Sequence, residues 1–415
     1  MALQQRLLSC GTFTTSSKAD TVDNRQWKKP IKPDHRGNMD HTGQIKDGQW
    51  VGLFEGTNTG LAMLDLDRRG GDLQGSLYAF DNNTEFPSVY APISLKASDT
   101  SVSVNLTIQP THPAQPTLLS RTDLPQGANF AQQLELSLSV VDEALRGDWK
   151  GGNGTSGTVV LHASRAELPS TLEPVKDVHS WQSFQQHVLD LSKQPRRYIF
   201  RGQAAPWKLR TSFHRTSRKD LMRYWNDDVP LVYRSAIGKT SHHFQLGVPD
   251  QNGAFLHLLQ HNGYPTPLLD WTYSPFVAAF FGFWSGRRDT DKGKPVRIVM
   301  FDAMQWRQDL PQLSHITLCR PHFSLIEPFA LGNERALPQQ SLASITNMDD
   351  IEEYIRLQEK QNNKSYLQAF DLDADERIDV LRMLSLMGIS PGSMFPGLEG
   401  VCHEYRDRNF GPEEW

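Results

Sequence analysis

A chain of 415 residues is long for one hydrophobic core and predicts two or three domains. Its 43 Lys and Arg against 47 Asp and Glu leave a net charge of −4, which argues against a dedicated nucleic-acid binder, local basic patches aside. Cys10, Cys319 and Cys402 lie too far apart in sequence for a disulfide framework or a CxxC zinc site, which fits a reducing, cytoplasmic compartment.

Residues 1–45 are polar without apolar periodicity and read as a flexible arm. MALQQRLLSCG faintly resembles a lipoprotein cleavage box at Cys10, but the apolar stretch before it is too short for a secretion signal, so export is not expected. Residues 46–165 carry short alternating runs such as GSLYAF, VSVNLTI and LELSLSVV, broken by Gly and Asn turns. A period of two buries one face of an antiparallel strand and predicts an all-β barrel or sandwich, lipocalin-like in its barrel form. WVGLFEGTNTG from Trp50 echoes WKGGNGTSG from Trp149, so the first and last strands are expected to pair and close the sheet. Such a barrel would grip a protein partner or a ligand at its mouth, or be plugged by the two tryptophans.

Residues 166–180, rich in Pro and mixed charge, read as a linker to a second domain over 181–410. There SWQSFQQHVLDLS predicts a helix with one buried stripe, RRYIF and VRIVMF predict strands, and ERIDVLRMLSLMGI predicts an amphipathic helix ending at Gly388. Helices and strands mix without a βαβ rhythm, which favours α+β. FVAAFFGFW is only half the roughly 18 residues of a membrane helix, so no membrane span is expected.

The chemistry centres on LLQHNGYPTPLLDWTYSPFVAAFFGFW, Leu258 to Trp284, where Asp270 interrupts an apolar run. Ser274 and Pro275 start a nearly all-apolar helix just after it. A carboxylate held there needs a cation or several N–H donors. Arg201, at the end of an apolar strand and before Gly202, is the first candidate, and His261 the second. Two readings stay open: Arg201, His261 and Asp270 line a pocket for a phosphate or carboxylate, or Asp270 only holds the core in register.

FRG at 200–202, QHNGYPTPLLDWTYSP at 260–275, ERALPQQS at 334–341 and GISPGSMFPGLEG at 388–400 stand in order, and together they resemble the FRG domain, named for its Phe-Arg-Gly motif, over about 181–406. Two departures stand out: Pro267 replaces the usual Arg, and the usual ALYFA helix reads AAFFGFW. More distantly, Arg201-Gly202, Thr272-Tyr273-Ser274 and Glu334 are similar in order to the core of some ADP-ribosyltransferases. That resemblance implies NAD as substrate, with Arg201 on its phosphates and Glu334 stabilising an oxocarbenium-like ribose. Thr272 or Ser274 would brace the strand, and Trp271 or Tyr273 would stack on nicotinamide.

The expectation is therefore an FRG-domain effector, a toxin or anti-phage protein, that carries out ADP-ribosyl transfer or NAD hydrolysis. The alternative is a non-catalytic module for a phosphate-bearing ligand or nucleic acid. Residues 196–220 hold eight Lys or Arg among four aromatics, a pattern compatible with nucleic acid but more simply a solvated basic face. Among His242, His243, His257 and His261 with Asp270, no ligand pair is read as having an HExxH-like or CxxC spacing, so no metal is expected. No GxSxG, Walker or GxGxxG motif is present to support hydrolase or nucleotide-triphosphatase chemistry.

Overall fold

The computed structural model describes residues 43–410 other than 114, 125–128, 192 and 286–292, so Cys10 and nearly all of the expected arm lie outside the described residues. Nine strands build the first half: β1 (Gly48–Gly56), β2 (Gly60–Arg69), β3 (Asp72–Asp81), β4 (Ser88–Lys96), β5 (Ser101–Thr107), β6 (Gln109–Thr111), β7 (Gln133–Val141), β8 (Ala144–Gly151) and β9 (Ser156–Ala163). They form one antiparallel sheet in the order β5-β7-β8-β9-β1-β2-β3-β4-β6. As the echo implied, β1 pairs with β9, from Trp50 opposite Ala163 to Gly56 opposite Gly157. The two edge strands are consecutive in the chain, with only Ile108 between them. The chain thus steps from one edge to the other, and the sheet is a nearly closed barrel.

Alternation decides what fills it. Trp50, Phe54, Leu64, Leu66, Leu73 and Leu77 point inward and share the barrel's buried cluster. Trp149 stands edge-on to Phe54, with ring centroids 5.9 Å apart, beside an apolar cavity of about 330 Å³. The outward positions of β1–β3 are equally buried. Val51, Leu61, Met63, Tyr78 and Phe80 share a cluster with Leu209, Trp271, Phe301 and Trp306 of the second half.

That second half holds a six-stranded sheet of β10 (Tyr198–Gln203), β11 (Leu268–Thr272), β12 (Val296–Asp302), β13 (Phe323–Ile326), β14 (Ser341–Thr346) and β15 (Leu367–Leu372). Its order is β13-β14-β11-β10-β12-β15, and every pairing is antiparallel. One face carries the cluster shared with the barrel. On the other lie the helices Trp181–Leu191, Pro275–Trp284 and Arg377–Leu386, with Pro249–His261 beside them over β11 and β14. The expected caps hold: the Ser274 hydroxyl accepts from Val277 N at 3.3 Å, and Gly388 ends its helix at φ +79°. No helix among the described residues is long and apolar enough to cross a membrane.

The seam between the halves is polar at one end. Gln49 donates to the Asn347 carbonyl at 2.8 Å and to Asp65 at 3.0 Å, and its own carbonyl accepts from Asp349 N at 2.9 Å. Burial, helped by Asp220, Asp67 and Asp349 and opposed by the Gln49 bond, holds the Asp65 carboxyl well above its ordinary 3.8. The folded chain therefore keeps a proton that the unfolded chain has released, and this contribution to stability is lost as pH rises above 3.8 toward the folded value. Asp65→Asn, which cannot ionise, is expected to gain on wild type in urea denaturation as pH is raised above 4; a constant gap would refute it.

Candidate functional site

β10 and β11 meet at a single pair, Phe200 opposite Thr272, and then part. The Phe-Arg-Gly stretch stands at this fork. Phe200 packs beneath the 275–284 helix. Gly202 faces the same helix, and a Cβ on it would lie 1.8 Å from the Ala278 carbonyl oxygen, so no larger residue fits. Arg201, between them, occupies the fork itself, and its Nη1 donates to the Asp270 backbone carbonyl at 2.7 Å. A side chain thus caps a strand carbonyl that has lost its ladder partner.

This corrects the expected guanidinium–carboxylate pair. Register places Asp270 on the helix face with Thr272 and Phe200, while Arg201 falls on the opposite face with Ile199 and Trp271. Arg201 is close enough to feel the Asp270 charge, but its hydrogen bond is to the main chain.

The Asp270 carboxylate instead meets two imidazoles from the Pro249–His261 helix. His257 and His261 are four residues apart and share a helix face, with ring centroids 4.4 Å apart. His257 Nε2 lies 3.6 Å from Asp270 Oδ1, a close contact too long for a hydrogen bond. His257 is buried, whereas 43% of the Asp270 side chain remains exposed, so the cluster opens to solvent at the carboxylate. His257 Nε2, His261 Nδ1 and Asp270 Oδ1 are buried atoms without a hydrogen-bond partner among the described residues. On the far side of His257, Nδ1 lies 3.2 Å from the side-chain amide of Asn333.

Packing alone would push the Asp270 carboxyl up, but His257, then Arg201 and His261, outweigh it and hold it down at about 2. Burial, with His257 adding to it, pushes His261 down to about 4. Burial also lowers Arg201 to about 10; Arg215 adds to that, and Asp270 opposes it. At neutral pH the site therefore presents an ionised carboxylate, a neutral His261 and a cationic Arg201.

The remaining candidates lie around this cluster with other attachments. Trp271 is 2% exposed on the barrel-side face, and its indole N–H donates to Ser344 at 3.0 Å, so it is core rather than a platform for nicotinamide. Thr272 donates to the Gln339 carbonyl at 2.7 Å and accepts from Ser274 N, which braces the turn into the helix. Tyr273 donates to Glu327 at 2.8 Å beneath the Arg196 guanidinium. Glu334 is exposed in the turn between β13 and β14, not on a strand, and its neighbour Asn333 reaches the cluster instead.

His257 and His261 in HLLQH stand at the spacing of the two histidines in HExxH, which corrects the reading that no ligand pair has such a spacing. Asn333, 76 residues from His257 in sequence, had no local signal.

The family model of the FRG domain matches residues 196–291, a span that carries Arg201, His257, His261 and Asp270 but stops short of Asn333 and Glu334. No curated protein and no solved structure matches the chain, so neither a lipocalin likeness for the barrel nor an ADP-ribosyltransferase likeness for the second half gains support.

Proposed function

We propose that the FRG-domain half binds a phosphate-bearing small molecule, with NAD as the first candidate, at the fork of β10 and β11, and acts on it through Asp270. The observation that carries this reading is the placement of Arg201. It is half-buried in the fork and donates to one carbonyl among the described residues, with its buried Nε unpartnered. The nearby Arg215 adds positive charge, and Asp270 opposes it. A half-buried guanidinium whose hydrogen bond goes to a carbonyl suits a phosphate.

With NAD bound there, the ionised carboxylate closest to Arg201 is Asp270. It takes over the role expected of Glu334: stabilising positive charge on the ribose as the bond to nicotinamide breaks and its electron pair leaves with the base. Water or an acceptor hydroxyl would then add to the ribose carbon.

The test is incubation of the full chain with NAD labelled on the adenylate and, separately, on nicotinamide, with cell lysate and RNA as acceptors. Nicotinamide release that falls about 100-fold in Asp270→Asn and survives in Glu334→Gln is the expected result. Binding of NAD or ADP-ribose without turnover under every acceptor condition would leave a binding module, and no binding of either would overturn the reading.

A further inference from the structure

We propose that His257, His261 and Asp270 form a binding site for one divalent transition-metal ion. The three side chains come from two elements, helix Pro249–His261 and strand β11, and each offers a ligand atom, all within 4.8 Å of one another. Bonds of about 2.0–2.2 Å to a tetrahedral ion place ligand atoms roughly 3.3–3.6 Å apart. The 3.6 Å from His257 Nε2 to Asp270 Oδ1 already meets this, and the ligand atom of His261 lies within 4.8 Å of both.

The burial pattern points the same way. Three neighbouring side chains each hold a buried polar atom without a hydrogen-bond partner among the described residues, and such atoms are usually paired in a folded protein. His257, 2% exposed, has no access to water in compensation. Asn333 holds the far side of the ring: its amide nitrogen lies 3.2 Å from His257 Nδ1 while its amide oxygen accepts from Arg335 N, which fixes the imidazole with Nε2 toward Asp270.

Two imidazoles and one carboxylate suit Zn²⁺, Mn²⁺, Fe²⁺ or Co²⁺ rather than Ca²⁺ or Mg²⁺. Three protein ligands also leave a coordination position open toward the exposed edge of Asp270, as in a working rather than a structural site. The inference shares side chains with the function proposed above but does not depend on the nucleotide.

The experiment is titration of the chelator-stripped full chain with Co²⁺, followed by visible absorption, and with Zn²⁺, followed by calorimetry. One equivalent of each is expected to bind, with the absorption of four- or five-coordinate cobalt. His257→Gln and Asp270→Asn should each weaken binding about 100-fold or more, Asn333→Ala about 10- to 100-fold, and His242→Ala not at all. Circular dichroism of the stripped variants separates ligand loss from misfolding, and Zn²⁺ should raise the melting temperature of wild type but not of His257→Gln. Absence of the cobalt band in wild type, or binding that survives both ligand variants, would overturn the site. NAD binding by the stripped protein would still uphold the phosphate reading, so the two proposals fail separately.

Discussion

Gly202→Ala is expected to destabilise the protein by about 3 kcal/mol, near the upper end for forcing an extra carbon into a packed interior. The new methyl would lie 1.8 Å from the Ala278 oxygen and 2.6 Å from Gly282 N, and neither backbone atom can rotate away. The 275–284 helix must therefore lift from β10. That opens the cluster in which Phe200, Val277 and Phe280 are buried together, so the cost spreads beyond the one clash. Gly238→Ala, where an added Cβ meets nothing within 4 Å, is the control and should change stability by no more than about 0.5 kcal/mol. Urea midpoints decide it: equal midpoints for Gly202→Ala and wild type would mean that the helix does not seat on this strand.

The same geometry explains the three letters of the motif separately. Phe200 fills the helix-side core, Arg201 caps the main chain of the parted strand β11, and Gly202 lets the helix approach. Sequence pattern exposed much of this. Alternation in LELSLSVV and its neighbours marked the barrel, the Trp-Gly echo marked the β1–β9 closure, and Ser274-Pro275 marked the helix start, because all three are local or symmetric signals.

What pattern left hidden depends on register and on partners distant in the chain. Whether Arg201 and Asp270 share a face turns on one pairing, Phe200 with Thr272, and a shift by one residue reverses it. Trp271 looked available for a ligand because its strand reads as apolar on both faces, and only the tertiary fold shows which element covers which face. Asn333 could be chosen over Glu334 only once the turn between β13 and β14 was placed. A further signal was present in GLAMLDLD of β2, an unbroken run of eight buried residues, longer than the runs of four in β1 and β3 and unlike the alternation of β7. Such a run marks a strand covered on both sides, and here the second cover is the FRG-domain half.

That double cover makes Asp67→Ala the other large expected effect. Asp67, 1% exposed on the outer face of β2, accepts from Lys219 N at 2.5 Å, Asp220 N at 3.1 Å and Arg218 Nε at 2.8 Å, all across the seam. Removing the carboxylate strands two buried N–H groups and leaves Arg218 with Asp228 as its remaining anion. The expected cost is about 3 kcal/mol, the low end for breaking a buried pair, because Arg218 keeps that second partner. Asp67→Asn, which retains an acceptor but not the charge, should lose about half as much. More telling than the size is where the loss appears. With Val51, Met63 and Tyr78 of the barrel in one cluster with Leu209, Phe301 and Trp306, neither half can unfold without exposing the other's apolar face. Hydrogen exchange should therefore show protection lowered equally in β2 of the barrel and β12 of the second sheet. If Asp67→Ala loosens the barrel strands and leaves β12 at its wild-type protection, the halves are independent folds that merely touch, and the account of β2 as shared core fails.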